Sequence, residues 1–283
     1  MLMHTRSRSL LVRSAAAAVA FVALLGHAAP AGADEPSGMG YDVGFPHCGG
    51  ALPPPPGFGI VGVNGGRVFN ANPCLEAQLV WARNTAYGSP VFYANTGNPG
   101  PAYSPFWPIG QTSPRVCDAG APNSSNCSFD YGWNGAKDSF ANAVRAIANV
   151  DGVDETNARQ RASQAKWWLD VEILNSWQTL EAAYGPSWAS KWKDVYALTG
   201  AVRALWDAGV TVVGIYSTQY QWNAITGGSD YTHDWFSANP VWLAGYSEAT
   251  ASTGCSASSF TGGHVVMTQY PRDGFDANYL CPT

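Results

Sequence analysis

The chain has 283 residues, 13% of them aromatic and only 12% charged, with 15 basic and 20 acidic residues for a formal charge of −5 at pH 7. An acidic balance argues against a polyanionic partner such as nucleic acid, whose binding rests on lysine and arginine. The length is typical of one α/β barrel and can bury a large core without help from a metal.

The first 33 residues form a segment of their own. MLMHTRSRSLLVR carries Arg6, Arg8 and Arg13, SAAAAVAFVALL is an apolar run, and APAGA ends in the small residues of a cleavage site. This pattern predicts a secretory signal peptide cut after Ala33; a signal anchor competes, but the run is short for a membrane span of about 20 residues. Cleavage leaves 12 basic against 20 acidic residues, a formal charge of −8 on residues 34–283. The exported part is expected to be extracellular or wall-associated, monomeric and free of membrane contact.

After the linker DEPSGMG (34–40), FGIVGV (58–63) is a short apolar run bounded by glycine and proline, as a buried strand requires. Residues 73–86 open with proline and set Leu75, Leu79 and Ala82 on one helical face. SPVFYAN (89–95) is the next strand, and residues 134–150 repeat Phe140, Val144 and Ile147 at helical spacing. KWWLDVE (166–172) is a strand, residues 188–208 a helix containing Trp192, Tyr196, Val202 and Leu205, and Gly209 its stop. VTVVGIYST (210–218), NPVWLAGY (239–246) and GGHVVMTQY (262–270) follow as strands, with few helices between the last of them. Strands alternating with helices predict a parallel sheet, and seven or eight of them predict closure into one irregular barrel over 34–283.

Residues 96–135 are too rich in Pro, Gly and Ser for regular structure and too long for a plain connector. Following a strand, they belong at the catalytic end of a barrel, as a lid, a substrate-binding loop or an inert insertion. The six cysteines, Cys48, Cys74, Cys117, Cys127, Cys255 and Cys281, are an even number in an exported chain and predict three disulfides. No CxxC pair suggests a zinc or thioredoxin-type site. Pairing of sequence neighbours is the expectation, Cys48 with Cys74, Cys117 with Cys127 and Cys255 with Cys281, although fifteen connectivities are open.

The question with chemical content is KWWLDVEILNSW (166–177), which places Asp170 and Glu172 in an apolar run where a carboxylate is costly unless paired or hydrogen-bonded. Alternation along a strand turns Trp168, Asp170 and Glu172 to one face and Trp167, Leu169 and Val171 to the other. With helices outside, the acids face the barrel interior at the C-terminal end of the strand, where barrel enzymes hold their sites. Two acids that close raise one pKa, as a general acid near neutral pH needs. The competing reading is a structural ion pair with Lys166.

Five motifs in order resemble the family-25 glycoside hydrolases, secreted and phage lysozymes, and their secreted glycoside-hydrolase-like relatives. They are GYDVG (40–44), LDVE (169–172), GIYST (214–218), VWLAGY (241–246), and TQY with FDAN (268–278). The resemblance implies an α/β fold of irregular TIM type and cleavage of the muramyl to glucosaminyl bond of peptidoglycan. In that reading Glu172 is the general acid, and Asp170 stabilises the substrate's own 2-acetamido group as it attacks the anomeric carbon. It places Asp42 and Asp276 at the barrel mouth, and Tyr216, Gln269, Trp242 and Tyr246 against the sugar. The chain departs from the family after the second strand, in GVNGGRVFNANPC with Asn64, and at Asn95, where a histidine is common. These substrate-facing changes leave open a barrel that binds cell-wall glycan without hydrolysis.

Bland readings compete at other positions. Asp42 has the sequence position to cap a turn before Pro46, Asp276 to be a turn acid, and most aromatics to be core. His47, His233 and His264 lack metal-ligand spacing, and neither a P-loop nor a GxGxxG unit follows a strand, so no metal or nucleotide cofactor is expected.

Overall fold

The computed structural model describes residues 38–282. Eight strands close into a barrel in chain order: β1 (Met39–Val43), β2 (Phe58–Gly62), β3 (Val91–Asn95), β4 (Trp167–Asp170), β5 (Val213–Ser217), β6 (Val241–Leu243), β7 (Val265–Arg272) and β8 (Phe275–Leu280). The signal-peptide segment lies outside the described residues, while the linker's Met39 and Gly40 already belong to β1. Helix α1 (Leu75–Arg83) follows β2, α2 (Ser125–Asp151) and α3 (Glu155–Gln164) follow β3, α4 (Trp188–Asp207) follows β4, and α5 (Gln219–Thr226) and α6 (Ser229–Phe236) follow β5.

The sheet departs from the all-parallel expectation at its closure, where β8 runs antiparallel to both β7 and β1. The cause is local. Asp273 and Gly274, between β7 and β8, have φ of 53° and 81°, the two consecutive positive values of a type I′ hairpin turn, and Asp-Gly is a preferred pair for it. A two-residue turn can only return the chain antiparallel.

Strand alternation divides the core in two. Val61, Phe92, Leu169, Ile215 and Val241 point outward into the main core beneath the helices. Phe58, Ile60, Val91, Trp168, Trp242 and Met267 fill the barrel interior. Rings that large fit because neighbouring strands carry glycine at matching register: a Cβ on Gly40 would strike Phe58, on Gly62 Tyr93, and on Gly214 Trp168.

Outside the barrel, α2 and α4 cross at near backbone contact, because a Cβ on Gly132 would strike the Ala197 carbonyl and one on Gly200 the Phe129 carbonyl. That crossing explains why the irregular segment is shorter than the sequence implies. The residues from Ser125 to Gly135 are the first turns of α2, started by the Ser124 side chain accepting from Cys127 N at 3.3 Å. Its glycines are contact sites and not loop residues. The sequence reading also lacks α3, whose polar ETNARQRASQ buries only Ala158 and Ala162, and the eight-residue α5 and α6. Three disulfides join Cys48 to Cys74, Cys117 to Cys127 and Cys255 to Cys281, as expected.

Candidate active site

A cleft of about 300 Å³ opens at the C-terminal mouth of the parallel strands. Register brings its acids together. Asp42 on β1 lies directly across from Asp276 on β8, and Asp170, the last residue of β4, lies across from Asn95 on β3 and Tyr216 on β5. Glu172 stands two residues beyond Asp170, in the loop, and lines the same cleft. Trp168, Asp170 and Glu172 thus share the inward face, as alternation predicts.

Each acid is held differently. Asp170 is 4% exposed; its Oδ2 accepts from the Asn95 amide and its Oδ1 has no hydrogen-bond partner. Its backbone carbonyl accepts from Thr96 N at 3.2 Å and Asn175 Nδ2 at 3.2 Å, which fixes the strand end. Glu172 is half-buried, and its carbonyl accepts from Trp177 Nε1 at 2.8 Å and Asn175 N at 3.1 Å. Asp42 Oδ2 accepts from Asn278 Nδ2 at 2.8 Å and Gln269 Nε2 at 3.0 Å, and Tyr216 donates to Gln269 Oε1 at 2.8 Å. Asp276 is exposed at the rim.

Burial is the largest cause raising the pKa of all four acids; repulsion from neighbouring acids adds to it at Asp42, Asp170 and Glu172, while at Asp276 His47 works against the rise. Asp42 is pushed up to about 7 by burial, then by Asp276 across the strand pair. Asp170 is held well above the ordinary carboxyl range by burial, then by Glu172 and Asp42. Glu172 is raised by burial and by Asp276, against a hydrogen bond from Gln221. Among the described residues neither Asp170 nor Glu172 has a basic partner within ion-pair distance, so the ion-pair alternative has no counterpart there. The pair can hold a proton and deliver it from the more exposed Glu172.

The cleft's other walls are aromatic. Trp242 lies 4.4 Å from Tyr216 and 5.7 Å from Trp168, centroid to centroid, and its Nε1 is buried without a partner. Tyr93 rises between Gly44 and Gly62, at neither of which a Cβ would fit beside it. Burial and all four acids raise the phenols of Tyr93 and Tyr216 well above their usual value, so both remain donors.

Of the residues the sequence places here, Asp42, Asn95, Asp170, Glu172, Tyr216, Trp242, Gln269 and Asp276 line the cleft. Asn64 and Tyr246 do not. Asn64 is buried behind Asn95, accepting from Asn95 N at 2.9 Å and donating to Ser139 Oγ at 3.1 Å, so it supports the wall. Tyr246 lies beyond the end of β6, where its ring leaves no room for a Cβ on Gly254. Gly66, from the GVNGG stretch, lines the cleft as well, and the lining residues that the sequence reading did not assign to the site are Phe45, Pro46, His47, Tyr93, Leu174 and Asn175. Tyr93 had a signal, since it sits two residues before Asn95 on one strand. Among the described residues no group of three or more His, Cys, Asp or Glu is arranged to hold a metal ion.

No family model matches the chain, and no curated protein sequence does. Among solved structures, the chain is similar to a muramidase from Trichobolus zukalii at 15% identity, over 87% of this chain and 95% of that one, with a TM-score of 0.44. It is similar to a glycosyl hydrolase 25 of Streptococcus pneumoniae at 14% identity, over 86% and 87%, with a TM-score of 0.45. It is also similar to the bacterial lysozyme from Streptomyces coelicolor at 18% identity, over 88% and 94%, with a TM-score of 0.40.

Proposed function

We propose that residues 34–283 are an exported glycoside hydrolase that cleaves a cell-wall glycan of the peptidoglycan type, as a muramidase does, by a substrate-assisted carboxylate mechanism. The observation that carries this reading is the convergence of Asp42, Asp170, Glu172 and Asp276 at one barrel mouth, where burial raises the pKa of each and repulsion adds to the rise at Asp42 and Asp170. Glycoside cleavage needs a protonated carboxyl beside an anionic or anion-like stabiliser, and environment sets the two apart.

Glu172, raised but still in contact with solvent, donates its proton to the glycosidic oxygen as the bond to the anomeric carbon breaks. Asp170 Oδ1, which lacks a partner, accepts from the N–H of the sugar's acetamido group. That bond favours the ionised form of Asp170, which stabilises positive charge on the nitrogen while the acetamido oxygen attacks. Water then opens the cyclic intermediate with Glu172 as base, retaining the anomeric configuration. Tyr93 and Tyr216 offer ring faces to the sugar and Tyr93 a hydroxyl donor, with Trp242 packed behind Tyr216. Three disulfides suit an oxidising, extracellular compartment, and no helix among the described residues is long and apolar enough to cross a membrane.

The test is release of reducing ends from purified bacterial walls. The parent should release them, and Glu172→Gln should slow the release at least ~100-fold with an unchanged melting temperature. Equal rates would remove Glu172 as the acid. A parent that sediments with walls but releases nothing would make the barrel a glycan-binding protein.

A further inference from the structure

A second cleft, of about 330 Å³, adjoins the first and has no part in the mechanism above. Three loops wall it: Arg67 and Val68 after β2, residues 96–106 after β3, and Leu174, Asn175 and Ser176 after β4. Gly66 lines the first cleft and its neighbour Arg67 the second, while Leu174 and Asn175 line both. The two clefts therefore meet across one ridge, on which Leu174 is 92% exposed.

The outer wall is held firmly. Phe106 stacks on Phe69 at 4.7 Å, Phe69 meets the edge of Tyr131 at 5.2 Å, and Tyr131 packs on Trp107 at 5.1 Å. Trp107 and Tyr131 form a small satellite core with the Cys117–Cys127 disulfide, and Trp107 Nε1 donates to the Pro122 carbonyl at 2.6 Å. Phe69 takes a φ of 60°, a conformation uncommon outside glycine that the surrounding packing must hold. Further along, Tyr103 meets the edge of Tyr184 at 6.1 Å, and Ala102 N donates to the Tyr184 hydroxyl at 3.1 Å. Tyr103 and Phe106 are thus fixed, yet 47% and 53% exposed.

The two clefts have opposite chemistry. Four carboxylates line the first, whereas no acid lines the second and its one charged residue is Arg67. Arg67 is exposed and has no ion pair or hydrogen bond among the described residues. A neutral sugar strand offers an unpaired guanidinium hydrogen bonds but no countercharge. A carboxylate on the substrate would be repelled by the first cleft and drawn to a planar fork that binds carboxylates with two parallel hydrogen bonds. We infer that the second cleft receives a short acidic peptide carried by the glycan, with Arg67 pairing a peptide carboxylate and Tyr103 and Phe106 covering its apolar side chains. The inference rests on the glycan-cleaving reading and specifies what the substrate carries. It also gives the 96–124 segment a task, as the wall of a peptide cleft.

The test uses the full exported chain carrying Glu172→Gln and two synthetic probes: an N-acetylated wall-type disaccharide with a tetrapeptide bearing free carboxylates, and the same disaccharide without peptide. Calorimetry should show the peptide-bearing probe binding about 10-fold more tightly, and Arg67→Ala should erase that advantage while leaving the bare sugar's affinity unchanged. Equal affinities for the two probes, or no binding of either, would overturn the inference. So would an Arg67→Ala variant that weakens both probes alike, since the cleft would then hold sugar. Hydrolysis by the parent of peptide-free glycan distinguishes the two failures: with it, only the peptide cleft falls. An Arg67-dependent peptide preference in a parent that cleaves nothing would keep the cleft and sink the hydrolase.

Discussion

Asp194 on α4 and Asp170 on β4 are both buried aspartates, at 0% and 4% exposure, with opposite surroundings. Asp194 Oδ1 accepts from Asn98 Nδ2 at 2.8 Å and Gln178 N at 3.2 Å, and Oδ2 accepts from Thr179 N at 3.2 Å and Thr179 Oγ1 at 2.7 Å. Its four donors tie the loops after β3 and β4 to α4. Asp170 accepts from Asn95 on one oxygen, has the Asn175 amide beside it, keeps its other oxygen bare, and has other carboxylates as its neighbours. Burial raises both, Asp194 to about 7, but only at Asp170 do like charges add to the rise. Satisfaction therefore separates Asp194 from the acid proposed to react better than burial or a raised pKa does.

The largest effect that would break this contrast is on stability. Asp194→Ala strands four donors in the interior and should destabilise by about 3–5 kcal/mol, read from the urea midpoint. A loss under about 1 kcal/mol would mean that the loops hold without it, and the contrast would fail from the structural side.

Asp170→Asn should behave the other way. It removes a charge from among charges and keeps the shape, so stability should change by less than about 1 kcal/mol, while hydrolysis should fall roughly 100-fold because an amide stabilises the acetamido nitrogen less well than a carboxylate. Proton NMR of the first product on N-acetylated glycan reports the same step. A retained anomer, with poor cleavage of N-deacetylated glycan, is expected; an inverted anomer would remove the acetamido group as nucleophile and leave Glu172 as acid.

The site was more legible than its surroundings, for a physical reason. Inward placement on a strand follows a period of two, so Asp170 fixes the facing of Trp168, and Asn95 that of Tyr93. Closure then brings Asp42 and Asp276 into register, a step carried by the Asp273-Gly274 hairpin, which the expectation of a parallel sheet passed over. Contacts made by loops carry no period. His47 reaches the cleft from the turn after β1, with its ring 5.5 Å from Phe275, and Leu174 and Asn175 reach it from the turn after Glu172. Asn64 stands behind the wall of the cleft and not in it; a polar side chain beside a cleft and one behind its wall look alike in sequence. Gly132 misled for a related reason: a glycine chosen for helix contact and one chosen for a loop are the same letter.

A pH-dependent effect sharpens the contrast at Asp42, which lies between the two cases: two amides donate to its Oδ2, yet Asp276 faces it across the strands. Its folded pKa of about 7 stands above the ordinary 3.8. Between those values the folded chain holds a proton on Asp42 that the unfolded chain has lost, so this group's contribution is full below about pH 4 and falls as pH rises toward 7. The slope for one such proton is about 1.4 kcal/mol per pH unit. Other acids change stability over the same range, so the measurement is a difference: denaturant midpoints of the parent and of Asp42→Asn, taken from pH 4 to pH 7. Asparagine at 42 offers an oxygen to both amides and cannot ionise, so it should gain on the parent steadily across that window. Parallel curves would mean that Asp42 ionises in the folded chain as easily as in the unfolded one. Its two amides would then count for more than its burial, and Asp42 would belong with Asp194 as a satisfied acid.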